Sequence, residues 1–125
     1  MRTIQESPAP HNAETGPDQP DPVVIVLTTW PEDERAAGVA HDLVAARLAA
    51  CITRLPRHAV VYRWHDAIET GHEHQWVIKT TRRALDDLWA AVRAAHPYET
   101  PEWLVLGVDS GSDAYLTWVR DATRA

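Results

Sequence analysis

Three short stretches carry most of the side chains able to do chemistry. His72-Glu73-His74 is the first. On a strand, residues i and i+2 share a face about 7 Å apart, a spacing that lets two imidazoles share a metal ion. Imidazole suits copper and zinc. The plainer alternative is a solvated strand end. The second stretch is His96-Pro97-Tyr98-Glu99-Thr100-Pro101-Glu102. Two prolines pin it, and between them lie a phenol and a carboxylate, flanked by His96 and Glu102. Stiff loops bearing polar groups are where binding sites tend to lie. The alternative is a rigid connection in which His96 is a satisfied core histidine. Third, Lys79 is the only lysine beside eleven arginines. On a strand it serves as a ligand anchor or, if partly buried, as half of a structural ion pair.

Catalytic signatures are missing. The five glycines, at 16, 38, 71, 107 and 111, form no phosphate loop, and no nucleophile elbow occurs. Cys51 is the one cysteine. It excludes an internal disulfide and a Cys-Cys zinc site, and its Ala-Ala-Cys-Ile context reads as core. An acid–base pair of His96 with Glu99 or Glu102 is geometrically undemanding. The residues therefore point to binding, with no enzyme activity.

The formal charge of −6 argues against a general nucleic-acid binder and against an anionic membrane surface. No apolar run approaches the ~18 residues of a transmembrane helix, and the N-terminus lacks the apolar core of a signal peptide. A cytoplasmic protein is the expectation. Residues 1–22 hold five of the nine prolines and almost no large apolar side chain, and they read as a disordered tail. That tail carries −3 of the charge, Arg2 against Glu6, Glu14, Asp18 and Asp21.

These side chains need a scaffold, and it starts at Val23. The run Val23–Leu27 suggests a strand buried on both faces. Thr29, with Glu32 three residues on and Pro31 between, predicts a capped helix start, followed by Val39, Leu43, Ala46 and Ala50 at helical spacing. Residues 52–64 read as a strand interrupted by Pro56, His65–Ala67 as a turn, and 68–80 as a long strand with Trp76 and Ile78 on one face and Val77 and Lys79 on the other. Leu85, Leu88, Trp89, Val92 and His96 form one helical stripe, with Thr81 as possible cap and Pro97 as terminator. Residues 103–108 make a further strand, 109–113 a loop and cap, and Tyr115, Trp118, Val119 and Ala122 a last helix. The order is that of the α+β, ferredoxin-like split βαβ fold, a single antiparallel sheet with both long helices on one face. The other face is left bare, and self-association is its simplest cover.

Several strings, in order and spacing, resemble the CutA divalent-cation tolerance family. They are Val26-Leu27-Thr28-Thr29, Arg47-Leu48-Ala49-Ala50-Cys51, Tyr62-Arg63-Trp64, Ile78-Lys79-Thr80-Thr81, the His96–Glu102 stretch, and Asp113-Ala114-Tyr115-Leu116-Thr117-Trp118. The resemblance covers about residues 23–123. It implies a ferredoxin-like protomer in a homotrimer, an architecture similar to the PII signalling proteins, which bind small ligands between subunits. It also implies a role in tolerance of divalent cations, copper in particular, without catalysis. The copper contacts proposed for the family fall on Thr28, Ala95 and His96, of which only His96 is a ligand type. Any copper or other divalent cation is therefore expected to bind weakly. The resemblance places Trp64, Lys79, Tyr98, Glu99 and Glu102 near a cleft between subunits, as a small-ligand pocket or as trimer contacts.

Overall fold

β-Branched residues fill β1 (Val23–Trp30), where Val24, Val26, Thr28 and Trp30 are wholly buried and Ile25 and Leu27, on the alternate face, are only half-buried. The structure, a computed structural model, describes residues 20–124. The remaining elements are α1 (Ala36–Ala45), β2 (Cys51–Arg54), β3 (His58–Trp64), β4 (Ala67–Thr81), α2 (Leu85–Ala95), β5 (Leu104–Gly107) and α3 (Asp113–Ala122). The sheet order is β2-β4-β1-β5, and β3 also pairs with β4. Every pairing is antiparallel. This is the ferredoxin-like topology expected of the sequence.

β4 is the spine. Its second half, from His74 to Thr81, pairs with β1, and Trp76 to Lys79 also pair with β2. Its first half, Ala67 to Glu73, pairs only with β3 and runs out as a two-stranded arm. Arg54 lies opposite Trp76 and His58 opposite Glu73. Three residues, Leu55-Pro56-Arg57, therefore face two, His74 and Gln75, which makes a one-residue bulge at the root of the arm. Pro56 has no N–H for the ladder, so the break falls there. At the tip, His65 adopts φ 55 in a two-residue turn.

α1 and α2 cover one face. Their Ala36, Leu43, Leu88 and Val92 pack on Val26, Trp30, Trp76 and Ile78. α3 closes the far end of the sheet, setting Val119 on Val23 and Ala50, with the hydroxyls of Thr81 and Thr123 3.2 Å apart. Among the described residues, no helix is long and apolar enough to cross a membrane.

The departures from sequence expectation are local. Thr29 is not a helix cap; it pairs with Gln75 and β1 continues through it to Trp30. Ladder pairing outcompetes the capping pattern, and α1 starts six residues past Trp30, where Asp33 Oδ1 accepts the Arg35 amide. Thr81 likewise ends β4 and caps nothing; one 3₁₀ turn, Arg82–Ala84, precedes α2. The Asp109–Asp113 stretch behaves as expected, with Ser112 Oγ accepting from the Tyr115 amide. The proline-rich segment lies outside the described residues up to position 19. Asp21 and Pro22, grouped with it by composition, are bonded to the body: Pro22 O accepts the Arg82 amide and Asp21 O accepts Arg120 Nε at 2.7 Å.

α1 ends in a left-handed residue, Arg47, at φ 63. Leu48 N–H reaches back to Leu43 O, the bond that such a C-terminal turn makes. A non-glycine residue there costs roughly 1–2 kcal/mol. The arginine offsets this by donating from Nη1 to the carbonyls of Asp121 and Ala122, at the C-terminal end of α3, where a cation is favoured. Arg47→Gly relieves the strain and loses the bonds; Arg47→Ala loses the bonds and keeps the strain. Urea unfolding should therefore rank Arg47→Ala about 1 kcal/mol below Arg47→Gly, and equal stabilities would refute this reading of the turn.

Candidate functional site

The loop after α2 carries the distinctive residues, and one ring fixes it. Pro97 pushes His96 out of the helix into extended backbone, φ −71 and ψ 135. The imidazole is buried against Trp30, ring centroids 4.2 Å apart, and Trp30 in turn stacks on Trp76 at 4.4 Å. His96 Nε2 lies 2.6 Å from the carbonyl of Thr29, and Nδ1 lies 3.0 Å from the amide of Tyr98. A carbonyl only accepts and an amide only donates. The ring is therefore the neutral tautomer with its proton on Nε2, and Nδ1 is the acceptor. Both nitrogens are committed to backbone. Burial lowers its pKa below the ordinary histidine value, outweighing the bond to Thr29 and the nearby charges of Glu73 and Asp33.

Asp33 braces this corner. Its Oδ2 accepts from Trp30 Nε1 at 3.2 Å and from Arg35 Nη2 at 3.0 Å. Those Arg35 bonds hold its carboxyl well below the usual carboxylate range. Arg35 also reaches Ala95 O at 3.5 Å, at the end of α2 beside His96.

Beyond His96 the loop crosses to residues of β4 that alternate onto the open face. The Tyr98 phenol has its pKa pushed up to about 12, by burial first and then by the Glu73 carboxylate that accepts its hydrogen bond. Glu73 Oε2 is also 3.5 Å from the Thr29 hydroxyl that donates to it. Gln75 Nε2 donates to Thr28 O at 2.9 Å and to Glu102 Oε2 at 2.8 Å. Tyr98 and Glu102 thus meet Glu73 and Gln75, a strip of carboxylate and phenol oxygens. Gln75, Trp30 and Asp33 were not singled out by sequence, and Glu73 stood out only as the residue between two histidines. The period-2 alternation with His72 and His74 was the signal that put Glu73 and Gln75 on the opposite face.

The other candidates fall elsewhere. Glu99 is exposed on the loop. Lys79 pairs across from Cys51 and Ile25, is half-buried, and forms no ion pair among the described residues. It is four residues along β4 from Gln75, about 13 Å. Trp64, 58% exposed, sits at the arm tip opposite Ala67, eight residues from Gln75 or about 26 Å. Within one protomer the cleft set does not converge. Thr28 is wholly buried and Ala95 is the last residue of α2.

His72 and His74 share a face, but their roles differ. His74 Nδ1 is 2.9 Å from Leu55 O and Nε2 is 3.2 Å from Glu32 Oε2. Both partners are acceptors, so making both bonds requires a proton on each nitrogen, and in that imidazolium form neither offers a lone pair. Its pKa is raised, first by the Leu55 carbonyl and then by Glu32. His72 is exposed. Among the described residues no three His, Cys, Asp or Glu side chains are placed to hold a metal ion.

Fold and site together define a ferredoxin-like α+β protein with a long hairpin arm and a histidine-clasped proline loop. The family described as "CutA1 divalent ion tolerance protein" matches residues 24–122. The divalent-cation tolerance protein CutA of Pectobacterium atrosepticum is 40% identical over 101 residues, 81% of this chain and 92% of that protein. The chloroplastic protein CutA of Arabidopsis thaliana is 35% identical over 103 residues, 82% of this chain and 57% of that protein. Among solved structures, the divalent cation tolerance protein of Thermus thermophilus superposes with a TM-score of 0.78 at 37% identity, covering 82% of this chain and 99% of that one. CutA1 of Oryza sativa gives 0.79 at 33% identity, covering 84% and 96%. The chain belongs to the CutA1 divalent ion tolerance family.

A ring held neutral binds fewer protons folded than unfolded. Its contribution is complete above about pH 6.5 and is lost as pH falls toward the depressed folded value. Between pH 7 and 5 the melting temperature of the wild type should fall more steeply than that of His96→Gln. Parallel slopes would contradict a neutral, buried His96.

Proposed function

We propose that this protein acts in tolerance of divalent cations as a homotrimer, by binding and not by catalysis, in the cytoplasm. The working unit is the body, residues 23–125. Family membership supports the cation role, because relatives in that family are named for divalent-cation tolerance. The observation that carries the assembly is the uncovered apolar surface. Leu104 and Leu106 on β5 are 54% and 46% exposed, and on the arm Val61, Ile68 and Trp64 are 69%, 61% and 58% exposed. By register Leu104, Leu106 and Trp64 fall on the open face and Val61 and Ile68 on the other face of the arm, and monomers rarely leave large apolar patches in water. Association would also bring Trp64 and Lys79 of one copy toward Tyr98, Glu99 and Glu102 of another, which a single chain does not do.

Copper or another divalent cation binds weakly in this reading, and none is needed for the fold. Thr28 and Ala95 supply no soft ligand. His96 serves as a clasp, with both nitrogens spent, and His74 as an imidazolium has no lone pair to offer. A second reading, a PII-like signalling trimer that takes a small ligand between subunits, is favoured by the Tyr98–Glu73 and Gln75–Glu102 strip lying on the open face.

Light scattering after size exclusion should give three times the 14.0 kDa chain; a monomer would sink the architecture. Titration with Cu²⁺ against a competing chelator should show affinity no tighter than micromolar. Nanomolar binding lost in His96→Gln would overturn the assignment of His96 as a clasp.

A further inference from the structure

The bulge at the root of the β3–β4 arm is a weak point in the ladder. Leu55-Pro56-Arg57 face only His74 and Gln75, so one residue has no counterpart across the strands. The body of the sheet ends there, and the arm beyond is held by a single partner strand. Among the described residues, Glu73 at the end of the arm reaches the body through the Thr29 hydroxyl, and one further side chain, His74, spans the bulge itself. His74, on β4 beside the bulge, donates from Nδ1 to the Leu55 carbonyl and from Nε2 to Glu32, in the segment between β1 and α1.

We propose that His74, as an imidazolium, is a proton-operated pin that locks the arm to the body at the bulge. Geometry alone requires the charge. A carbonyl and a carboxylate both accept, so the two bonds need two ring protons. Loss of one proton leaves a lone pair facing an oxygen. If Nδ1 keeps its proton, the bond to Leu55 survives and the ring nitrogen repels the Glu32 carboxylate, releasing the loop before α1. If Nε2 keeps it, the Leu55 carbonyl is abandoned and the bulge keeps only the His58 bond to the Pro56 carbonyl.

Among the described residues, two charged groups face the ring. Glu32 favours the cation, and Arg54, at the end of β2, opposes it. Along the same strand face His72 is exposed, and across the ladder Trp30 is the register partner and carries no charge. The ring is about a quarter exposed and Glu32 largely so, which leaves water and protons free access. The carbonyl bond and Glu32 outweigh Arg54 and burial, raising the pKa above the ordinary value of about 6.5. The pin is therefore closed at pH below that raised value and opens as pH rises through it. The arm is the most exposed apolar part of the chain, so its angle to the body sets how it meets any partner surface.

Proton and nitrogen resonances of the intact full-length protein test this across pH 5.5–9. His74 should titrate with a midpoint above about 6.5. The backbone amides of Leu55 and Glu32, and of Val60 and Gly71 in the arm, should move with the same midpoint. Glu32→Gln should lower the midpoint, and His74→Gln should abolish the shared transition in the arm. His72→Gln should leave it unchanged. A His74 midpoint at or below 6.5, or arm amides that do not follow it, would overturn the proposal. Should His74→Gln fail to fold, the Glu32→Gln shift alone decides, because Glu32 is exposed and off the ladder.

Discussion

The site depends on one ring and its two backbone bonds. His96 is clasped between the Thr29 carbonyl and the Tyr98 amide, inside a stack with Trp30. That clasp ties the end of β1 to the distant end of α2 and the proline loop that follows it. It exists because the helical stripe runs one turn past Val92 and Pro97 then forces the chain to extend. Desolvation keeps the ring neutral, and neutrality lets Nδ1 accept. The same bonds occupy both ring nitrogens.

The other determining constraint is the length of β4. Fifteen residues are enough to serve β1 and β2 in the body and then carry β3 beyond it. α1 and α2 occupy one face of the body, and α3 covers only the end of the other. The rest of that face, continuous with the arm, bears half-buried Ile25, Leu27 and Val77 beside exposed Leu104 and Leu106. Tyr98, Glu73, Gln75 and Glu102 lie at the junction of the two. The polar strip and the uncovered apolar surface are therefore parts of one feature, and whatever covers the sheet also borders the strip.

Much of this was readable in the chain. The β-branched run gave β1, the stripe from Leu85 to His96 gave α2, and Pro56 marked the break between β2 and β3. These signals are local and periodic, and the topology follows from their order. Thr29 misled because the capping pattern is also local, whereas the pairing of Thr29 with Gln75 is not. Site contacts were illegible for the same reason. Gln75 meets Glu102 across 27 residues, His74 meets Glu32 across 42, and His96 meets Thr29 across 67. Periodicity says which side chains share a face, not which carbonyl or carboxylate lies opposite. Neither histidine's partners could be read from sequence: an amide and a carbonyl for His96, two oxygen acceptors for His74.

The most direct test of the central claim reads the His96 nitrogens themselves. Long-range proton–nitrogen correlation at neutral pH should show a neutral ring protonated on Nε2, with Nδ1 shifted as a hydrogen-bond acceptor, and one equivalent of copper should leave both signals unchanged. A ring protonated on Nδ1, or loss of the His96 signals at stoichiometric copper, would contradict the account.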